Sequence, residues 1–434
     1  MKRNMKLLSR RLLVLVVFMG LTLSGCGGGG GGGGGGIVDP AAANTINDGY
    51  GNPVVNNGVL YLPDWGNSRV LGFNNIPTSD GARANFVLGQ PDFATITTGV
   101  SQTYLGGPQA LSVDNGKFFV TDTDNSRILI YNAAPTSGPG SADVVVGQAD
   151  FVSNGIATTA SGLSSPETSY AALDKLVVAD SDNNRVLIWS HIPNSNGVAA
   201  DIVLGQNSFT NSAANDVDQN GVEDNPSIPS ARTLNYPTGV WTDGTKLVVL
   251  DSMNNRILIW TSFPTVDFAP ANLVLGQADF VSNAFNDDNQ DGTSDPHPSN
   301  RTLDYPFDGV FCKNGQLFVA DNSNDRVLIW NTFPATSFVR ADVVLGQVDF
   351  SGDTGNDTNG DYVPDTPSAQ TLNDPRGVFV EGSELFVSDG LNNRYLIYQA
   401  RGTVGGYLTF DIFQAASVVI GQSDFVSVLA NQGR

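Results

Sequence analysis

The chain of 434 residues is poor in the side chains that most often carry chemistry: it has two cysteines and two histidines. His191 and His297 lie far apart in the sequence with no Cys-x-x-Cys to supplement them, which argues against a zinc centre of the usual nitrogen and sulfur ligands. With Cys26 and Cys312 as the whole thiol inventory, a disulfide-stapled fold is excluded as well. Positive charge is scarce, since 22 Lys+Arg stand against 43 Asp+Glu for a net charge of −21. Such a surface repels nucleic acid and attracts cations. There is no Gly-x-Ser-x-Gly elbow, no glycine loop with a phosphate-binding lysine and no Cys-x-x-Cys-His for haem. The apolar run Leu12–Leu23 falls short of the roughly 20 residues that a bilayer span needs.

That run follows Lys2, Arg3, Lys6, Arg10 and Arg11, the layout of a secretory signal rather than a core helix. Leu23-Ser24-Gly25-Cys26 then resembles a bacterial lipobox, which implies cleavage after residue 25 and a lipid on Cys26. Gly27 as the next residue favours the outer membrane within that resemblance. Ten glycines, Gly27 to Gly36, cannot hold a fold and read as a flexible tether of about 17 Å. The expected organisation is a signal over 1–25, a lipidated tether over 26–44 and one folded unit over 45–434. Without residues 1–25, which carry five basic and no acidic side chains, the net charge is −26. Cys312 lies in an apolar strand pattern and reads as packing.

The folded unit is a repeat, because one block returns six times. Its fourth copy runs Leu234-Asn235-Tyr236-Pro237, Lys246 to Asp251, Asn254-Asn255-Arg256-Ile257-Leu258-Ile259-Trp260 and Leu273-Val274-Leu275-Gly276-Gln277. The arginine recurs as Arg69, Arg127, Arg185, Arg256, Arg326 and Arg394, at spacings of 58, 58, 71, 70 and 68. A Gly-Gln pair recurs from Gly89, Gly147, Gly205, Gly276, Gly346 and Gly421. Each copy holds four short β-rich runs, several of them continuously apolar, and therefore covered on both faces. A closed ring supplies that cover and leaves few sheet edges, so the expected fold is all-β: a six-bladed β-propeller of four-stranded antiparallel blades. Asn/Asp-rich segments such as Asp180 to Arg185 read as tight hairpins between the second and third runs. No strand is expected to be exchanged between the ends, and Gly421 to Phe425 is expected to close the ring against blade one.

Ala320-Asp321-Asn322-Ser323-Asn324-Asp325-Arg326-Val327 and its sisters resemble the NHL motif over nearly all of the folded chain. The resemblance implies that the six arginines and their aspartates hold strand and turn together, in keeping with the need of a guanidinium beside an apolar strand for fixed acceptors.

The surplus length of the last three units lies between one unit's last strand and the next unit's first. It is acidic each time: Asp216, Asp218, Asn220, Val222 and Asp224; Asp287, Asn289, Asp291, Thr293 and Asp295; Asp357, Asn359, Asp361, Val363 and Asp365. These are positions 1, 3, 5, 7 and 9 of loops that resemble the calcium loops of thrombospondin type 3 repeats and dockerins. Calcium takes six to eight oxygens, which alternate carboxylates and amides plus the position-7 carbonyl supply. Position 12 holds Ser227, Pro298 and Ser368, so the bidentate glutamate of an EF-hand is absent. The expected cofactor is structural Ca²⁺ that stiffens the loops.

The resemblance also bears on activity. The zinc-dependent amidating lyase of the NHL family needs several channel histidines, which this chain lacks. Six-bladed lactonases and gluconolactonases place calcium in the channel on Glu, Asn and Asp, and Asn235, Asp304, Asp308, Asn373 and Asp374 lie near the corresponding inner-strand starts. A calcium-dependent channel hydrolase is therefore the alternative reading. The leading one is a non-catalytic, monomeric module on the cell envelope, anchored in the membrane by its lipid and binding a protein, peptide or glycan through the rim that bears the acidic loops.

Overall fold

The computed structural model describes residues 43–225 and 227–433; the expected signal, the lipidation site Cys26 and the glycine tether lie outside the described residues. Order extends slightly before the expected boundary at 45, since the Ala84 N–H donates to the Ala43 carbonyl at 2.7 Å.

The folded unit is a six-bladed propeller of four-stranded antiparallel blades. Blade 1 comprises β1 (Val54–Asn56), β2 (Val59–Asp64), β3 (Arg69–Phe73) and β4 (Phe86–Leu88); blade 2 comprises β5 (Pro108–Asp114), β6 (Lys117–Asp122), β7 (Arg127–Tyr131) and β8 (Val144–Val146). Blade 3 comprises β9 (Pro166–Ala172), β10 (Lys175–Asp180), β11 (Arg185–Trp189) and β12 (Ile202–Leu204); blade 4 comprises β13 (Pro237–Thr242), β14 (Leu247–Asp251), β15 (Arg256–Trp260) and β16 (Leu273–Leu275). Blade 5 comprises β17 (Val310–Lys313), β18 (Gln316–Asp321), β19 (Arg326–Trp330) and β20 (Val343–Leu345). Blade 6 comprises β21 (Pro375–Glu381), β22 (Glu384–Asp389), β23 (Arg394–Gln399) and β26 (Val418–Ile420), with an additional hairpin, β24 (Gly402–Val404) and β25 (Tyr407–Thr409), ahead of its last strand.

Alternation explains the continuously apolar strands. In β10, Leu176 and Val178 pack with Phe119, Ile128 and Ile130 of blade 2. Val177 and Ala179, pointing the other way, pack with Leu247, Val249 and Leu258 of blade 4. Both faces of a blade are thus core, so a polar face never appears in the pattern.

Each blade is contiguous in sequence, and no strand is exchanged between the chain ends. The Gly81 N–H donates to the Val419 carbonyl at 3.0 Å, the Val419 N–H to Asp80 Oδ1 at 3.0 Å, and the Asn431 N–H to the Ile46 carbonyl at 3.0 Å. The tail therefore closes the ring on blade 1, and the contact runs on to Asn431, beyond the expected Phe425.

The Asn/Asp-rich connection of each blade is a tight hairpin, as expected, built as a single 3₁₀ turn. Its last residue (Ser68, Ser126, Asn184, Asn255, Asp325 or Asn393) is left-handed, with φ of 50–54°. Asparagine, aspartate and serine there, directly before the arginine, suit a conformation that most side chains resist.

Candidate functional site

The six repeated arginines are fully buried, and each pairs through Nε with the aspartate five residues earlier at 2.6–2.7 Å. Arg256 shows the whole arrangement: Nε to Asp251 at 2.7 Å, Nη1 to the Phe280 carbonyl at 2.6 Å, and Nη2 to the Ser230 and Thr233 carbonyls at 2.9 and 3.1 Å. One guanidinium thus ties its own turn to the loop leaving its blade and to the loop arriving from the previous blade. The rigid five-donor fork is what makes this possible. The aspartate is equally committed, since Asp251 also accepts from the Asn235 N–H at 2.7 Å and from Asn254 Nδ2 at 2.8 Å.

The glutamines of the Gly-Gln pairs are backbone brackets. Gln206 Nε2 donates to the Asn184 and Ala213 carbonyls at 3.0 and 2.9 Å, and Gln90, Gln148, Gln277 and Gln422 repeat the pattern.

These contacts place the inter-blade loops and the 3₁₀ turns on one face. The acidic loops belong to it: Asn215, Asn286 and Asn356, each just before position 1, bond Asn254, Asn324 and Asn392 in the turn of the next blade at 2.9–3.0 Å. The three loops share one backbone path. The position-1 carboxylate accepts the position-6 N–H at 2.8 Å in each, from Gly221 to Asp216, Gly292 to Asp287 and Tyr362 to Asp357. The position-9 carboxylate accepts the position-2 N–H, from Val217 to Asp224, Asp288 to Asp295 and Thr358 to Asp365, at 2.9–3.1 Å. Positions 4 and 6 are both left-handed. Gln219 and Gln290 (φ 58°) precede Gly221 and Gly292 (φ 86° and 83°), whereas the third loop has its glycine first, Gly360 (φ 78°), and then Tyr362 (φ 63°). The missing position-6 glycine of the third loop is thus offset by one at position 4.

Asp218 and Asn220, Asn289 and Asp291, and Asn359 and Asp361 accept backbone N–H bonds within the loops. In the first loop, Asp216, Asp218 and Asp224 each offer an oxygen within 4.8 Å of the others, the one such acidic, cysteine or histidine trio among the described residues. The position-7 residues Val222, Thr293 and Val363 are where a backbone carbonyl would complete an oxygen-rich set for a hard cation.

The channel residues named from the sequence divide. Asn235, Asp304 and Asn373 sit at the turns into the inner strands and donate their backbone N–H groups to Asp251, Asp321 and Asp389 at 2.7–2.9 Å. Asp308 and Asp374 instead belong to a charged cluster with two residues the sequence did not single out as site residues, Glu167 and Arg376. Arg376 Nε bonds Asp374 Oδ2 at 2.9 Å, and its guanidinium lies 3.7 Å from the ring centre of Tyr50 and 4.7 Å from that of Phe307. Tyr236 donates its hydroxyl to Glu167 Oε1 at 2.9 Å. Burial pushes the Glu167 carboxyl up to about 7 against the pull of the Tyr236 bond and Arg376. Burial, with Glu167 and Asp374 adding to it, drives Asp308 well above the usual carboxylate range although Arg376 opposes it.

Hydrogen bonds between blades meet here. Asn52 of blade 1 donates through Nδ2 to the Asp308 carbonyl at 3.2 Å and accepts the Val378 N–H of blade 6 at 3.0 Å. Further along the inner strands Tyr170, Phe311 and Phe379 meet ring to ring, Tyr170 to Phe311 at 6.4 Å and Phe311 to Phe379 at 4.8 Å. Cys312 is buried in β17, and burial raises its thiol well above the usual range. His191 is exposed and bonded to Asp174, whereas His297 stacks on Tyr362 of the third loop at 4.2 Å. The two histidines lie on different parts of the ring.

No family model matches the chain, and no curated protein matches it. Among solved structures it is similar to a streptogramin B lyase (12% identity, 87% of each chain covered, TM-score 0.38), a nidogen/laminin complex (16%, 84% of this chain and 98% of that one, TM-score 0.39) and virginiamycin B lyase from Staphylococcus aureus (12%, 87% and 88%, TM-score 0.36). Identities this low leave the function of the chain to be read from its own residues.

Proposed function

We propose that the chain is a non-catalytic binding module on the cell envelope, which takes a protein, peptide or glycan on the face bearing the three acidic loops, with structural Ca²⁺ in those loops. The observation that carries it is the repeated geometry: three loops of one backbone path, each anchored by an Asn–Asn pair to the following blade, the carboxylates of the first gathered within 4.8 Å of one another. Gathered carboxylates repel one another, and a divalent cation turns that repulsion into loop order. The ligands would be Asp216, Asp218, Asn220, Asp224 and the Val222 carbonyl, with their counterparts in the other two loops. A stiff, acidic, calcium-set rim is suited to recognition.

The lipid on Cys26 and an outer-membrane location belong to the same proposal. Labelled palmitate is expected in the wild type and not in a Cys26→Ser variant.

The deciding experiment is calcium titration by calorimetry of the metal-stripped full chain, beside a variant carrying Asp218→Ala, Asp291→Ala and Asp361→Ala. About three sites, a raised melting temperature, and loss of both in the variant are expected. A single site that survives the triple change would move calcium to the channel and favour a hydrolase. An envelope pull-down that yields no calcium-dependent partner would count against the binding module itself.

A further inference from the structure

At the centre of the same face, the inner strands of blades 3 and 6 and the turn into that of blade 5 bring Glu167, Arg376 and Asp308 together. Asp308 is wholly buried and neither carboxylate oxygen has a hydrogen-bond partner; Glu167 is 5% exposed, and its Oε2 has none either. Arg376 acts on both acids through its charge but donates to neither of these oxygens: its Nε is bonded to Asp374 and its guanidinium lies over Tyr50 and Phe307. The result is three acceptor oxygens, two acids and no donor. Leaving a buried acceptor unmet costs about 1–3 kcal/mol, and more for a charged group. Two exposed acids, Asp124 and Asp182 of the neighbouring 3₁₀ turns, lie near enough to act electrostatically on Glu167.

The missing component is therefore a cation rich in donors. An ammonium group has three N–H donors and no acceptor, which matches three unpartnered oxygens. A calcium ion matches less well, because it needs six to eight oxygens and the unpartnered carboxylate oxygens here number three.

We propose that the head of the channel is a receptor for a primary ammonium carried on a flexible chain, with Glu167 and Asp308 accepting its N–H groups. The source is either a small diamine or the lysine side chain of a peptide. The inference rests on taking this face as the binding face and names the chemistry of its centre.

The test is calorimetric titration of the full chain with cadaverine and, separately, with a capped Gly-Lys-Gly peptide, at about pH 8, above the value near 7 at which Glu167 titrates. Binding of at least one probe with Kd below about 1 mM is expected, and the tighter probe identifies the source. The double variant Glu167→Gln, Asp308→Asn is expected to weaken binding by about tenfold or more while melting no lower than the wild type, because it removes buried charge and keeps shape. Should the double variant unfold, Glu167→Gln alone decides by the same tenfold criterion, since the amide oxygen still accepts from Tyr236. Failure of both probes to bind, or unchanged affinity in the charge-removed variant, overturns the proposal. The triple loop variant is expected to bind the amine like the wild type; loss there with retention in the channel variant would place the amine on the loops and also overturn it. Failure of the loops to take calcium leaves all these expectations in place, so the two readings fail separately.

Discussion

Asn431 donates its backbone N–H to the Ile46 carbonyl at 3.0 Å, the same bond that joins Asn215 to Leu234, Asn286 to Leu303 and Asn356 to Leu372 within continuous loops. Its side chain meets Asn67 of blade 1 as those asparagines meet Asn254, Asn324 and Asn392. Ile46 lies against Gly421 as Leu234 lies against Gly205. The chain ends thus rebuild, without a peptide bond, the crossover that the other blade pairs make covalently. Truncation after Phe425 keeps every strand but removes this contact, and is expected to lower the urea midpoint markedly. Asn431→Ala alone should cost about 1–2 kcal/mol, the value of a part-buried side-chain pair. An unchanged midpoint for the truncated chain would show that strand packing alone closes the ring.

The guanidinium hubs make a second prediction. Arg256→Lys keeps the charge but loses the fork, because one ammonium cannot reach Asp251, Phe280, Ser230 and Thr233 from a single position. A loss of about 3 kcal/mol in denaturant unfolding is expected, close to that of Arg256→Met, since both leave buried acceptors unmet. A lysine variant as stable as the wild type would show that charge rather than geometry matters at this position.

What was legible in the sequence is what the chain repeats. The arginine, its aspartate and the Gly-Gln pair occur once per blade, so a weak local signal is multiplied, and apolar runs such as Leu176 to Ala179 announce cover on both faces. The acidic loops were legible because calcium-type spacing is local. The Glu167–Asp308–Arg376 cluster was not, because its members come from three blades and depart from the repeat in three different ways. Pro166-Glu167-Thr168-Ser169 stands in the third repeat where the fourth has Pro237-Thr238-Gly239-Val240, and that break in the repeat is the available clue. Asp308 and Asp374 were named as channel residues together with Asn235, Asp304 and Asn373, yet the backbone groups of those three serve the turns. The hairpin at Gly402–Thr409 was also missed, although Gly405-Gly406 between two short β-prone runs is its signature. It docks on blade 5, where Gln316 exchanges two hydrogen bonds with the Leu408 backbone at 2.7 and 2.8 Å.

Gly276 is constrained twice over. Its φ is +86°, and a Cβ placed there would stand 2.7 Å from both the Asn255 carbonyl oxygen and Leu303 Cδ1. Gly276→Ala is expected to cost well over the roughly 1–2 kcal/mol of a left-handed alanine, because carbonyl and leucine must also move. Gly292→Ala is the control, with φ of +83° and nothing within 4 Å of the added carbon. It should cost only the backbone strain, and equal losses for the two variants would remove packing from the explanation.

The channel acids give stability a slope with pH. Glu167 titrates near 7 in the folded chain, chiefly through burial, with Asp182 and Asp124 adding to the rise and Tyr236 and Arg376 opposing it. In the unfolded chain a glutamate ionises near 4.3. Between these values the folded state binds the extra proton, so stability falls as pH rises, from full strength below about 4 to a plateau above about 7. A shift of this size corresponds to about 4 kcal/mol. Asp308, driven upward in the same cluster, adds to the slope with the same sign. Glutamine at 167 cannot ionise, so Glu167→Gln should flatten the dependence of the melting temperature on pH and gain most over the wild type at pH 8. A wild-type melting temperature that is flat across this range would mean that neither acid takes up the proton, and a slope the variant retains in full would assign that proton to Asp308. A melting temperature that recovers at pH 8 on adding cadaverine would show the ammonium replacing that proton, since a cation on the ionised pair opposes the same desolvation cost.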